Sequence, residues 1–405
     1  MVTRTPSQGL KILENLHKKY PNHLSTKNSV INAYIKLGKH DTAINLINNI
    51  PNNITNVSSL QFKAWVAHQQ GDISKEKLIW NDILTKIYKS EIAAPICSFI
   101  KMSKTNISIT IDDIPLICVE RNEISRLPYF LKYYRKLGIT QFFFVDNNSD
   151  DGSLEFLLEQ PDCHIFWTDD SYNEAGSGIR FVHHLLDTYM LNEQWCLHVD
   201  ADEFLVYPNC ETHLLKTFIE FLEKNGDEAV SSFMLDIYPK DINTQLSINH
   251  TDNLLEKCEY FYNNYQFQQK GSAPYINPTG GVFSYFNITL YSIAKTSLFK
   301  NKSNFRFLSS THQTTPVKIS PITSCYLHTK FVGDFYAMSK KAVLEKEHAT
   351  GGQQYNHYIR MFNSLDDDNF SFASLDKSIK YENSQQLVDL GLIKTSEEWE
   401  KLCDQ

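Results

Sequence analysis

Four consecutive residues, Asp200-Ala201-Asp202-Glu203, follow the apolar run Trp195-Cys196-Leu197-His198-Val199. Carboxylates crowded this closely repel one another and are costly unless a cation joins them. Hard divalent cations such as Mg2+ or Mn2+ take oxygen ligands, usually one or two carboxylates plus substrate phosphates. A strand carried on through the motif would aim Asp200 and Asp202 to one side, because side chains two apart share a face. The small Ala201 between them would then leave room for a bulky ligand. A cation held there would neutralise charge developing on a leaving diphosphate. A lone D-x-D is equally the mark of a solvated acidic turn. Its place between an apolar strand and Phe204-Leu205-Val206 favours the metal reading.

The same polar chemistry recurs after other apolar runs. Glu120-Arg121-Asn122-Glu123 follows Ile114 to Val119, Asp146 to Ser153 follows Gln141 to Val145, and Asp169-Asp170 follows His164 to Trp167. Continuous apolar runs suit strands buried on both faces, and residues 123–137, 154–158 and 179–191 read as the helices between them. Strands alternating with helices predict a parallel α/β sheet. Ligands of such sheets bind outside the carboxyl ends of the strands, so four acidic clusters converge on one rim. Before the third helix, Gly176-Ser177-Gly178 would leave backbone N–H groups facing an anion, with Arg180 adding a charge-assisted contact. An ordinary turn with a solvated arginine fits those residues as well. Ala229 to Leu235 reads as a further strand, ending at Asp236, which either works at the rim or caps the following turn.

Residues 112–365 resemble the GT-A fold and, within it, the inverting glycosyltransferase family 2. The matching pieces are Glu120-Arg121-Asn122-Glu123, Val145 to Ser153 and Val199 to Leu205. Leu235 to Pro239, Gly280-Gly281, Lys295 to Leu298, Ser310-Thr311-His312 and Leu327 to Phe331 are similar to a bacterial subgroup of that family. The resemblance implies a nucleotide-diphosphate sugar as donor and Mn2+ or Mg2+ as cofactor. It places Glu120 and Asp146 at the nucleotide, Asp200 at the ribose or metal, and Asp202 on the metal. The family's second strand-end acid falls on Asn148, an amide that both accepts and donates. His328 would complete the metal sphere or meet the diphosphate. An inverting transfer needs one base on the acceptor side, for which Asp236 is the first candidate; His312 stands beside it among the catalytic candidates. The acceptor implied is a glycan, a lipid-linked sugar or a protein, in bacterial surface polysaccharide synthesis. Gly351-Gly352-Gln353-Gln354-Tyr355, after the helix read over 334–348, would form a lid.

The elements around this rim divide the chain into a helical segment over 1–105, the GT-A domain over 106–365 and a helical tail over 366–405. Within the first, Ala33 to Ala43 resembles a tetratricopeptide repeat, with Leu37-Gly38 ending one helix and Ala43 letting the next pack; Gly71-Asp72 repeats the break. An irregular helical bundle is the other reading. Either serves a protein partner or self-association. The net charge of -8 has no long basic block beside it, which excludes nucleic acid as the expected partner. The 8 cysteines form no C-x-x-C pair and read as buried free thiols of a reducing compartment. No run reaches the roughly 18 apolar residues of a membrane span, so the expected place is cytoplasmic, with peripheral contact at the inner face of the membrane left open. The 25 Phe and 21 Tyr suit sugar-facing surfaces, while the high Asn, Lys and Ile content beside them points at least as well to AT-rich coding. Two other functions use the same features: a non-catalytic nucleotide-binding scaffold acting through its helices, and a sugar nucleotidyltransferase. The latter calls for a Gly-rich basic loop where Glu120 to Glu123 stands.

Overall fold

Each apolar run read above becomes a strand in the computed structural model. It describes residues 6–21, 23–36, 39–50, 57–70, 98–241, 253–269, 276–286, 293–302, 305–308, 311–315, 317–332, 355–363 and 371–405, with isolated positions between them. The chain divides into two compact units. One is Met1–Ser90 with Gln269–Tyr275, and the other Glu91–Gln268 with Ile276–Gln405.

The first unit is helical: α1 (Pro6–Lys19), α2 (Leu24–Lys36), α3 (His40–Asn48) and α4 (Val57–Gln69). Ile31, Ala43, Ile47, Ile50 and Val66 form its core, and the fully buried Ala43 is the small residue that packing demanded. The breaks expected at Leu37-Gly38 and Gly71 lie outside the described residues.

The second unit is a mixed α/β structure. Its strands are β1 (Ile100–Lys101), β2 (Pro115–Glu120), β3 (Gln141–Asp146), β4 (Cys163–Trp167), β5 (Gln194–His198), β6 (Glu203–Val206), β7 (Ala229–Tyr238), β8 (Tyr260–Tyr262), β9 (Gln266–Gln269), β10 (Ile276–Thr279), β11 (Ala294–Asn301), β12 (Ile319–His328) and β13 (Ser378–Lys380). The main path of the large sheet runs β1-β4-β3-β2-β5-β11-β7-β12-β6. Strands β4, β3, β2 and β5 are parallel neighbours, as their apolar runs predict. The rest departs from an all-parallel sheet: β11 is antiparallel to both β5 and β7, and β6 is antiparallel to β12.

Period-two alternation sends neighbouring side chains into two separate cores. Leu116, Cys118, Phe142 and Phe144 pack with α5 (Leu127–Lys136) on one face. Ile117, Phe143 and Val145 pack with α7 (Ile179–Tyr189) on the other; α6 (Ser153–Leu158) links β3 to β4, and α8 (Leu215–Lys224) joins the first core. Much of the aromatic enrichment is spent here: Phe130, Phe142, Phe143, Phe144, Phe166, Phe181 and Phe204 are fully buried. The cysteines among the described residues are free, and all but the half-buried Cys403 are buried; Cys97 lies outside them.

The C-terminal segment is more than a helical tail. It adds β13 to β8 and carries two short helices, Ser384–Asp389 and Glu397–Cys403. Both are capped: Asn383 accepts from the Gln386 N–H and Ser396 from the Trp399 N–H. Trp399 is fully buried against Phe218 and Phe221 at ring distances of 5.1 and 5.3 Å, and its indole N–H donates to the Pro208 carbonyl at 3.0 Å. Trp399→Ala is expected to destabilise the second unit by about 3–5 kcal/mol, read from the shift of the urea midpoint. An unshifted midpoint would make the segment dispensable.

Candidate functional site

Strand directions gather the candidate residues on one rim. The carboxyl ends of β2, β3, β5, β7 and β12 point one way; the antiparallel β11 and β6 bring their amino ends to the same side. On that rim stand Glu120, Asp146, Asp236 and His328 from carboxyl ends, and Lys295 and Glu203 from amino ends. Residues 199–202 carry the chain from β5 to β6, although β11, β7 and β12 lie between those two in the sheet order. Asp200-Ala201-Asp202 is therefore a turn and not a continued strand. Register makes its neighbours: His328 lies opposite Glu203 on one side and Asp236 on the other. The Thr329 N–H donates to the Asp202 carbonyl at 2.8 Å, tying the end of β12 to the turn. Ala201, expected to open space for a ligand, is 3% exposed and belongs to the core.

Oxygens of Asp200, Asp202 and Glu203 come within 4.8 Å of one another. Basic side chains already answer part of this charge. The fully buried Lys295 ammonium lies 2.7 Å from Asp200 Oδ2 and 2.7 Å from the Glu203 carboxylate. Burial opposes its charge, but Asp200 and Glu203 hold it well above the usual lysine range. Asp202 Oδ2 accepts from Lys330 Nζ at 3.2 Å and faces His328 Nε2 at 3.3 Å. His328 Nδ1–H donates to Asp236 Oδ1 at 2.6 Å. Burial works against an imidazolium there, yet the two carboxylates push His328 up to about 10. Both ring nitrogens thus meet carboxylates, and the ring bridges Asp202 to Asp236. Asp236 does not end its strand; β7 runs on to Tyr238, which turns the side chain toward His328 instead of capping a turn.

The donor set suits a hard divalent cation, being carboxylate oxygen throughout. Asp200, Asp202 and Glu203 are the described residues that could hold one. Asp200 is the solvent-facing member, with a side chain 42% exposed, whereas Glu203 is wholly buried and committed to Lys295 and to the Asp200 N–H at 3.0 Å.

Glu120 and Asp146 form a second acidic pair, in register on β2 and β3. Both are buried, and both oxygens of Glu120 and Oδ2 of Asp146 lack a hydrogen-bond donor. Burial first, and Asp146 beside it second, push the Glu120 carboxyl well above its usual range. The polar residues after these strands are largely used within the loops. Asp151 accepts from the Ser153 N–H at 2.9 Å and the Ile124 N–H at 3.1 Å, and Asn122 Oδ1 accepts from the Asp150 N–H at 2.8 Å. Asn148 is exposed with φ +60, while it is Asn147 that donates to the Thr168 and Asp170 carbonyls.

Two further candidates, Arg180 and His312, stand apart from the carboxylates. Arg180 is half-buried on the first turn of α7, its Nε has no partner, and among the described residues it makes no ion pair with the rim. The loop before it does not leave its amides open as expected: the N–H groups of Gly176, Gly178 and Arg180 donate to Asn173, Tyr172 and Ala175 carbonyls. His312 Nδ1–H donates to the Ala294 carbonyl at 2.8 Å, next to Lys295, and burial with the Lys295 charge lowers it to about 4, leaving it neutral. His198, inside β5, is a core histidine whose Nδ1 has no partner; burial lowers it to about 4. Of the lid expected at 351–355, residues 351–354 lie outside the described residues, and Tyr355 is buried at the start of the helix Tyr355–Asn363.

The residues that sequence reasoning left without a role are the cations: Lys295, Lys330, and the buried Arg126, which pairs with Glu123 at 2.6 Å. A signal was there, because Lys295 lies between Ile293-Ala294 and Leu298-Phe299, and a lysine drawn inside with such neighbours must be paired. A scan against protein-family models returns no match, and a search of curated proteins returns none.

Proposed function

We propose that the protein is a metal-dependent, inverting glycosyltransferase of the GT-A type. It moves a sugar from a nucleotide-diphosphate donor to a glycan, lipid-linked or protein acceptor in the synthesis of a surface polysaccharide. The observation that supports this best is the sharing of one sheet rim by the Asp200–Asp202–Glu203 cluster and the buried Glu120–Asp146 pair. One acidic group suits a cation and diphosphate, the other the polar edge of a nucleoside. Asp200 and Asp202 hold Mn2+ or Mg2+, which supplies charge neutralisation for the leaving diphosphate. Lys295 fixes the rotamer of Asp200. Lys330 and His328 fix Asp202, and Lys330 adds positive charge beside the diphosphate. Asp236, held by His328, is the acceptor-side carboxylate, with the neutral His312 as the other candidate base. The N-terminal helices, read as tetratricopeptide-like, serve association. Among the described residues no helix is long and apolar enough to cross a membrane; a cytoplasmic enzyme working peripherally at the inner membrane face fits that.

One observation favours a second reading, a nucleotide-binding scaffold without turnover: Asp202 is already neutralised by Lys330 and His328. A panel of uridine, guanosine and thymidine diphosphate sugars with Mn2+ separates the two. Transferase action predicts a thermal shift with one donor and release of its nucleoside diphosphate. A shift without release supports the scaffold, and no shift with any donor overturns both.

A further inference from the structure

Helix α1 buries Leu10 on one side and exposes large apolar groups on the other. Ile12, Leu16 and Tyr20 are 39%, 42% and 50% exposed. Spaced four apart, they lie on one face, and the Tyr20 N–H still donates to the Leu16 carbonyl at 2.9 Å, which keeps the tyrosine in line. Scattered exposed apolar residues need no explanation. A continuous row of three does.

The charges around the row have one sign. Lys11, Lys18 and Lys19 are exposed, and Lys19 Nζ lies 5.4 Å from the centre of the Tyr20 ring. The single acid of the helix, Glu14, is turned inward, where it accepts from the Tyr34 hydroxyl at 2.6 Å. The wider sequence repeats this bias. Residues 1–90 carry 12 Lys and Arg against 5 Asp and Glu, a net +7 in a chain of net -8, which leaves -15 on the remainder. A helix with an apolar row, an aromatic at its end and lysines beside it has the make-up of an interfacial helix. At 14 residues it is too short to span a bilayer, which takes about 20.

From these we infer that α1 lays the Ile12–Leu16–Tyr20 face into the surface of an anionic membrane, with Lys11, Lys18 and Lys19 against the lipid headgroups. The inference is argued from the first unit alone; it deepens the peripheral membrane placement proposed above and does not depend on donor transfer.

The test is co-sedimentation of the full chain with phosphatidylglycerol-rich vesicles and with pure phosphatidylcholine vesicles. The protein is expected to pellet with the first and stay in solution with the second, and salt should release it because the headgroup attraction is screened. Ile12→Glu/Leu16→Glu should lower the partition about tenfold or more, with circular dichroism and melting unchanged since both side chains are exposed. Should that variant fold poorly, Lys18→Glu/Lys19→Glu gives the same answer through charge alone. Three outcomes overturn the inference: no binding to anionic vesicles, equal binding to neutral ones, or unaltered binding by both variants. A lipid-free dimer that Ile12→Glu/Leu16→Glu breaks, without any vesicle binding, would instead give the face to a second copy of the chain. Donor turnover in solution is the separate readout for the transferase.

Discussion

Lys295→Met is expected to destabilise the α/β unit by about 3–5 kcal/mol, the usual penalty for removing one partner of a buried ion pair. The side chain is wholly buried, as is that of Glu203, and Asp200 shares the same ammonium. Methionine fills much of the volume, so the loss is electrostatic: Glu203 is left without a counter-charge where water cannot reach it. Burial already favours its protonated form, and Lys295 is the larger of the two charges that oppose this, His328 being the other. Removing the charge from Glu203 as well should therefore recover much of the stability. Equilibrium urea unfolding of Lys295→Met and of Lys295→Met/Glu203→Gln measures both effects. A single variant within about 1 kcal/mol of wild type, the worth of an exposed pair, would show that this ion pair does not organise the rim.

Asp202→Asn is expected to lower donor turnover about 10²–10³-fold, the scale seen when one preorganised charge or donor is lost from an active site. The amide keeps the shape of the side chain and can still accept from Lys330, so the fold should survive. What it loses is the negative charge that, with Asp200, would hold a divalent cation. Release of nucleoside diphosphate with and without Mn2+, beside the thermal shift of each variant, reads the change. Wild-type turnover in Asp202→Asn would remove the cation from this carboxylate and leave Asp200 as its only rim ligand. Loss of both folding and turnover would be decided by Asp200→Asn, whose carboxylate is the exposed member of the pair.

Much of the rim was legible from local pattern. Continuous apolar runs identify β2 to β5 within a residue or two, because strands buried on both faces are built mostly of apolar side chains. The acids at their ends follow directly, since a polar group that ends such a run must reach the edge of the sheet. The same logic failed at Asp236, where β7 continues for two residues beyond the acid. It failed again at Ala201, which a turn and not a strand presents to the core.

By itself, then, the sequence determined the alternating strands and helices, the free buried cysteines and the gathering of Glu120, Asp146, Asp200 and Asp202 at carboxyl ends. Only the tertiary structure decided what neutralises them. Lys295 meets Asp200 and Glu203 from more than ninety positions away, and His328 meets Asp236 at a similar separation. Hydropathy and spacing say which face a side chain takes, but not which strand lies beside it. That choice belongs to sheet order and register. Here an antiparallel β11 beside β5, and β12 between β7 and β6, set a lysine and a histidine among the carboxylates.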